Sequence, residues 1–178
     1  MTDRKFQVLA LLIGVAFVTI TVGIFTPAWL CETTYKVWDN FEVCGGIVPY
    51  YSNEYAWAAI ASWLMFISFA IFLLILFFFF KTHLRVRNYG YTVRNRNWFR
   101  FIALASLLVA VFTATAVILF AVYAAKYKRE DNSYSKYHIS KNNYFFQLGY
   151  SAWLSAAAGV ISLLICTLSL FISVNEYR

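Results

Sequence analysis

Residues 27–55 read PAWLCETTYKVWDNFEVCGGIVPYYSNEY. This stretch holds both prolines of the chain, two of its three cysteines, and four of its eight acidic residues: Glu32, Asp39, Glu42 and Glu54. It lies between two long apolar runs, Phe6–Thr26 and Ala56–Phe80. Turn formers, thiols and charge gathered between two uncharged runs mark a loop that leaves a membrane and returns to it.

The flanking composition supports that reading. The chain has 178 residues, 62% hydrophobic and only 13% charged. A water-soluble domain of this size cannot cover so much apolar surface. Lipid does not penalise it, and a span needs roughly 20 apolar residues to cross about 30 Å of hydrocarbon. Two further runs, Phe99–Tyr123 and Tyr150–Val174, meet that requirement. None of the four contains Asp, Glu, Lys or His, and Arg100 stands at the edge of the third. The expected fold is an all-α membrane protein, a four-helix transmembrane bundle forming one domain over residues 1–178. Its spans are expected near 6–26, 56–80, 99–123 and 150–174. The first run is too long for the apolar core of a signal peptide and has no small-residue cleavage site after it, so it is expected to stay as a span.

The charge is distributed unevenly along the chain. The formal net charge is +7. Between residues 81 and 100 lie Lys81, Arg85, Arg87, Arg94, Arg96 and Arg100, with no acid. Cytoplasmic flanks of membrane proteins carry such an excess. The loop 81–98 and both termini are therefore expected in the cytosol, with the loops 27–55 and 124–149 outside. The same basicity implies attraction to anionic lipid rather than to nucleic acid.

In the first outer loop, Tyr35–Cys44 is rich in residues that favour strands. Gly45, Gly46 and Pro49 punctuate its end. A small β-hairpin is expected there. Cys31 and Cys44 are the only cysteines on the oxidising side and are expected to form a disulfide. Two free thiols or a zinc site are the alternatives, and zinc would lack ligands. Cys166 falls within the fourth span, where an inert buried thiol is expected. Trp29 follows the first span at interface depth.

Lipid supplies no hydrophobic drive between helices, so small residues must permit close approach. Ser106, Ala110 and Ala114 in the third span recur at four-residue spacing, as do Ser151, Ser155 and Gly159 in the fourth. These are the expected packing positions, and Gly14 and Gly23 offer close approach in the first. The run Phe66–Phe80 is nearly all Phe, Leu and Ile and is expected to face lipid. The third helix is expected to continue past the membrane through Ala124–Lys128.

Chemistry finds little support. His83 and His138 are expected on opposite sides of the membrane, so they cannot share a site. No Ser-His-Asp set, phosphate-binding glycine loop or intramembrane charge occurs. No enzymatic activity, cofactor, metal, small-molecule substrate or nucleic-acid partner is expected.

The arrangement resembles the claudin superfamily, which includes the peripheral myelin and epithelial membrane proteins and the channel- and receptor-associated auxiliary subunits. The resemblance rests on Trp29 after the first span, Trp38 within Val37-Trp38-Asp39-Asn40, a cysteine pair in the first outer loop, and Tyr150-Ser-Ala-Trp-Leu-Ser-Ala-Ala-Ala-Gly-Val-Ile in the fourth span. Two departures stand out. Cys31 precedes Trp38 instead of following it, and Lys36-Val37 replaces the Gly-Leu before the second tryptophan. The first loop is also short for a claudin and nearer in length to the myelin-protein branch.

The resemblance implies a left-handed bundle, with Trp29 and Trp38 anchoring the outer loop to it. It also implies a multi-pass plasma-membrane protein of cell junctions, acting in adhesion or as a paracellular barrier. Its partners would then be the bilayer and other membrane proteins: its own kind within one membrane or across two, or a channel or receptor. Glu32, Asp39, Glu42 and Glu54 are the candidate contacts for cations or a partner. An auxiliary channel subunit is the alternative that the same resemblance supports.

Overall fold

A computed structural model describes residues 4–36, 39–47, 56–89, 93–134 and 143–175. Four helices and three strands follow in the order α1 (Arg4–Phe25), β1 (Leu30–Lys36), β2 (Asp39–Gly45), α2 (Ala56–Tyr89), α3 (Val93–Tyr134), β3 (Asn143–Leu148) and α4 (Tyr150–Asn175). All four helices are long and apolar enough to cross a membrane. In hydrocarbon the backbone must satisfy its own hydrogen bonds, and a helix does so within each segment.

The buried positions show how the helices pack. On α1 they include Phe6, Leu9, Ile13, Ala16, Ile20 and Gly23, and on α4 they include Ser151, Ser155, Ala158, Ser162, Ile165, Ser169 and Ile172. On α3, Phe99, Ile102, Ser106, Val109, Thr113, Ala116 and Phe120 are buried, and on α2, Ala61, Met65, Ser68, Phe72, Ile75 and Thr82. Each series advances by alternating steps of three and four, with one step of seven on α2. The average step of about 3.5 residues is the period of a seam between helices packed side by side. The helices neighbour one another in the ring α1–α4–α3–α2, with the thinnest seam between α1 and α2.

Two kinds of seam hold this ring. Where α4 meets α1 and α3, small residues allow backbones to approach. A side chain on Gly23 would meet Ser155 Oγ at 2.5 Å and the Ser151 carbonyl at 3.2 Å. One on Gly159 would meet Thr113 Oγ1 at 2.7 Å and the Ala110 carbonyl at 3.9 Å. Between α1 and α2, aromatic rings fill the gap instead. Phe6 stacks on Phe79 at 4.9 Å, Phe17 on Phe69 at 5.9 Å, and Phe25 meets Phe69 edge-on at 5.8 Å.

Three expectations need correction. The run Phe66–Phe80 does not simply face lipid. Phe72 and Ile75 are fully buried, while Leu73, Leu74, Phe77 and Phe80 form the exposed face. The reason is the aromatic seam with α1, which uses rings where the seams of α4 use small residues. Ala114 is exposed, and Thr113 takes the inward position. Ala114 lies about 80° round the helix from Ser106, beyond the edge of the buried face that holds Val109 and Thr113. Gly14 has no atom within 4 Å of where a side chain would stand, so it permits no close approach within the chain.

Helices α2 and α3 extend past their apolar runs. The 42 residues of α3 would span about 63 Å at 1.5 Å per residue. Its continuation through Ala124–Lys128 agrees with expectation and reaches further, to Tyr134.

Candidate functional site

The strands form one antiparallel sheet in the order β2–β1–β3. The hairpin of β1 and β2 comes from the loop after α1, as expected. The third strand was not foreseen. β3 belongs to the segment between α3 and α4, and it pairs along β1 from Leu30↔Leu148 to Tyr35↔Asn143. Its sequence, NYFFQL, carries the aromatic enrichment of a strand, and Gly149 follows as punctuation. The polar, tyrosine-rich surroundings obscured that signal.

The sheet is fastened to the bundle at Ala28–Cys31. Pro27 has no amide hydrogen, so the Gly23 carbonyl, four residues earlier, lacks its usual helical donor. The Trp29 indole takes that place, with Nε1–H donating to the Gly23 carbonyl at 2.7 Å. The Trp29 ring is fully buried and lies 5.0 Å from the Phe120 ring of α3. Its backbone joins the neighbouring strands, because Trp29 N–H donates to the Gly45 carbonyl at 2.9 Å and Gly149 N–H donates to the Trp29 carbonyl at 3.0 Å. One residue thus touches α1, α3 and both edges of the sheet.

The start of α4 closes against the same turn. Ser151 N–H donates to the Ala28 carbonyl at 3.1 Å, which satisfies one of the free donors of a helix N-terminus. The Thr26 and Ser151 hydroxyls lie 2.7 Å apart, and Ser151 Oγ also donates to the Thr26 carbonyl. Gly149 is required here, because a side chain at that position would collide with the Ala28 carbonyl. Gly149 was not singled out in the sequence, where only its place before the apolar run marked it.

Cys31 and Cys44 form the expected disulfide. They stand directly opposite each other in the β1–β2 register, so the bond locks the hairpin beside its attachment to the bundle. Of the acidic candidates, Glu32 lies opposite Val43 and Phe146, Glu42 opposite Thr33, and Asp39 opposite Lys36. Glu54 and Trp38 lie outside the described residues, as does His138. His83 stands at the other end of the bundle, its ring 5.2 Å from that of Phe6. Among the described residues no group of three or more His, Cys, Asp or Glu could hold a metal ion. Cys166 is a free, half-buried thiol.

Of the expected packing residues, Ser106, Ala110, Ser151, Ser155 and Gly159 are buried, and Ala114 is not. Sequence reasoning missed Thr113, whose hydroxyl donates to the Val109 and Ala110 carbonyls within its own helix.

Four membrane helices carrying a small disulfide-locked sheet, pinned by a tryptophan at the end of the first span, define a class of tetraspan membrane proteins. The family model described as "Tight junction protein, Claudin-like" matches residues 1–177. The chain belongs to this claudin-like family. No curated protein matches it.

Proposed function

We propose that this tetraspan protein works at contacts between cells, in the plasma membrane. Its sheet lies outside, and both termini and the 81–98 loop lie in the cytosol. The observation that carries the reading is the way the sheet is built. Strands from both connecting segments form one unit, and Trp29, Gly149 and the disulfide hold that unit close against the bundle. A surface fixed in this way loses little conformational entropy when it meets a partner.

The chemistry of the surface is electrostatic. Residues 27–55 carry Glu32, Asp39, Glu42 and Glu54 against Lys36, a net of −3. Residues 124–149 carry Lys126, Lys128, Arg129, Lys136 and Lys141 against Glu130 and Asp131, a net of +3. Opposite charges on two adjacent segments suit pairing between copies, in one membrane or across two, and they set register more than affinity. Acidic groups at the mouth of an intercellular path would favour cations, and salt would screen the effect.

The test is ion permeability across an epithelial monolayer expressing the protein. It is compared with a variant carrying Asp39→Asn, Glu42→Gln and Glu54→Gln. The expected result is enrichment of the protein at cell contacts and a cation preference that the amides reduce. Unchanged resistance and selectivity, with no enrichment at contacts, would point instead to an auxiliary subunit. Copurification of a stoichiometric channel or receptor in mild detergent would then identify its partner.

A further inference from the structure

We propose that the end of the bundle opposite the sheet binds the headgroup of a polyphosphorylated anionic lipid, held between the extensions of α2 and α3. The apolar run of α2 stops at Phe80, yet the helix continues to Tyr89. This extension carries Lys81, Arg85 and Arg87, and the start of α3 carries Arg94, Arg96 and Arg100. The stretch from 81 to 100 contains no acidic residue.

The geometry brings the two helices into one site. Phe78 of α2 stacks on Trp98 of α3 at 5.0 Å and meets Phe101 edge-on at 4.8 Å. Lys81 Nζ stands 5.3 Å from the centroid of the Trp98 ring. This antiparallel register sets Lys81 and Arg85 within about two turns of Arg96 and Arg100. Each pair lies at a spacing of four, so each presents two positive charges on one side of its helix. Like charges so placed repel one another. Lys81, Arg87 and Arg100 are exposed, and Arg85 and Arg96 are half-buried.

The level of the site identifies the ligand. Lys81 directly follows the apolar run, at the depth of lipid phosphates, and Trp98 sits at the same depth as an interface anchor. A lipid such as phosphatidylserine neutralises one base at a time. A polyphosphorylated inositol headgroup carries several charges in one footprint, and arginine forks match phosphate oxygens in pairs. Clusters of four to eight bases beside a membrane helix are suited to such lipids. Here the bases stand on helices rather than on a free loop, so less ordering is needed on binding. The headgroup would also offset the mutual repulsion of the bases and brace α2 against α3. The inference does not depend on the role in cell contact.

The experiment uses the full chain in phosphatidylcholine nanodiscs containing either a phosphatidylinositol bisphosphate or phosphatidylserine, matched for total charge. Native mass spectrometry reads the lipid retained. The expected result is preferential retention of the bisphosphate. A variant with Lys81→Gln, Arg85→Gln, Arg96→Gln and Arg100→Gln should weaken retention at least ~10-fold. Lys126→Gln with Lys128→Gln, at the other end of α3, should leave it unchanged. Equal retention of the two lipids by the wild-type chain would overturn the proposal whatever the variants do. Equal loss in both variants would also overturn it. Binding of soluble inositol trisphosphate as tight as that of the lipid would assign the site to a free phosphate compound instead.

Discussion

Trp29 shows how one side chain can couple a membrane helix to a sheet beyond its end. Pro27 ends α1 and takes away the donor that the Gly23 carbonyl would have had. The indole N–H replaces it at 2.7 Å. Trp29→Phe would retain a ring against Phe120 but leave that carbonyl unpaired. A buried unpaired acceptor costs about 1–3 kcal/mol, so the thermal midpoint of the purified protein in detergent should fall. An unchanged midpoint would mean that the ring contact alone holds the sheet. Gly159 makes a similar point within the bundle. Any side chain there must displace Thr113 Oγ1, whose hydrogen bonds to Val109 and Ala110 would break. Gly159→Leu should damage folding more than Leu73→Ala on the exposed face of α2. Thr113→Ala should recover part of the loss in Gly159→Ala, because it vacates the occupied space. Equal expression and monodispersity of Gly159→Leu and Leu73→Ala would contradict this account.

Among the elements, the hairpin depends most on a covalent tie. Isolated two-stranded hairpins are marginal in water. Here the disulfide joins opposed residues of β1 and β2, and β3 adds a second neighbour for β1. Closing a loop of this length contributes roughly 3 kcal/mol in the chain-entropy model. Cys31→Ser or Cys44→Ser should therefore lower the amount of protein that reaches the cell surface, as read by surface biotinylation. Mass spectrometry of an unreduced digest should recover the crosslinked peptides. Alkylation of both thiols without prior reduction would refute the bond.

For the molecule as a whole, the distribution of charge predicts orientation. Six bases without an acid lie between residues 81 and 100, and flanks of this kind remain in the cytosol. Tags at Met1 and Arg178 should react with antibody only after permeabilisation. Labelling of either tag on intact cells would reverse the assignment, and with it the outward placement of the sheet.

The number of spans and their approximate limits could be inferred from the sequence because each follows from a local requirement. A helix in lipid must be apolar along its length and must satisfy its own backbone, and both conditions hold within one segment. The Cys31–Cys44 bond was legible for a similar reason, since both partners lie in one loop. The tertiary structure decided what depends on segments far apart. The Thr26 and Ser151 hydroxyls meet across 125 residues. β3 pairs with a strand more than 100 residues earlier, and its composition could not name that partner. Gly149 became essential only when the Ala28 carbonyl arrived beside it. Thr113 rather than Ala114 turns inward because the neighbouring helix decides which face of α3 is buried, and Thr113 is the residue that meets Gly159 of α4.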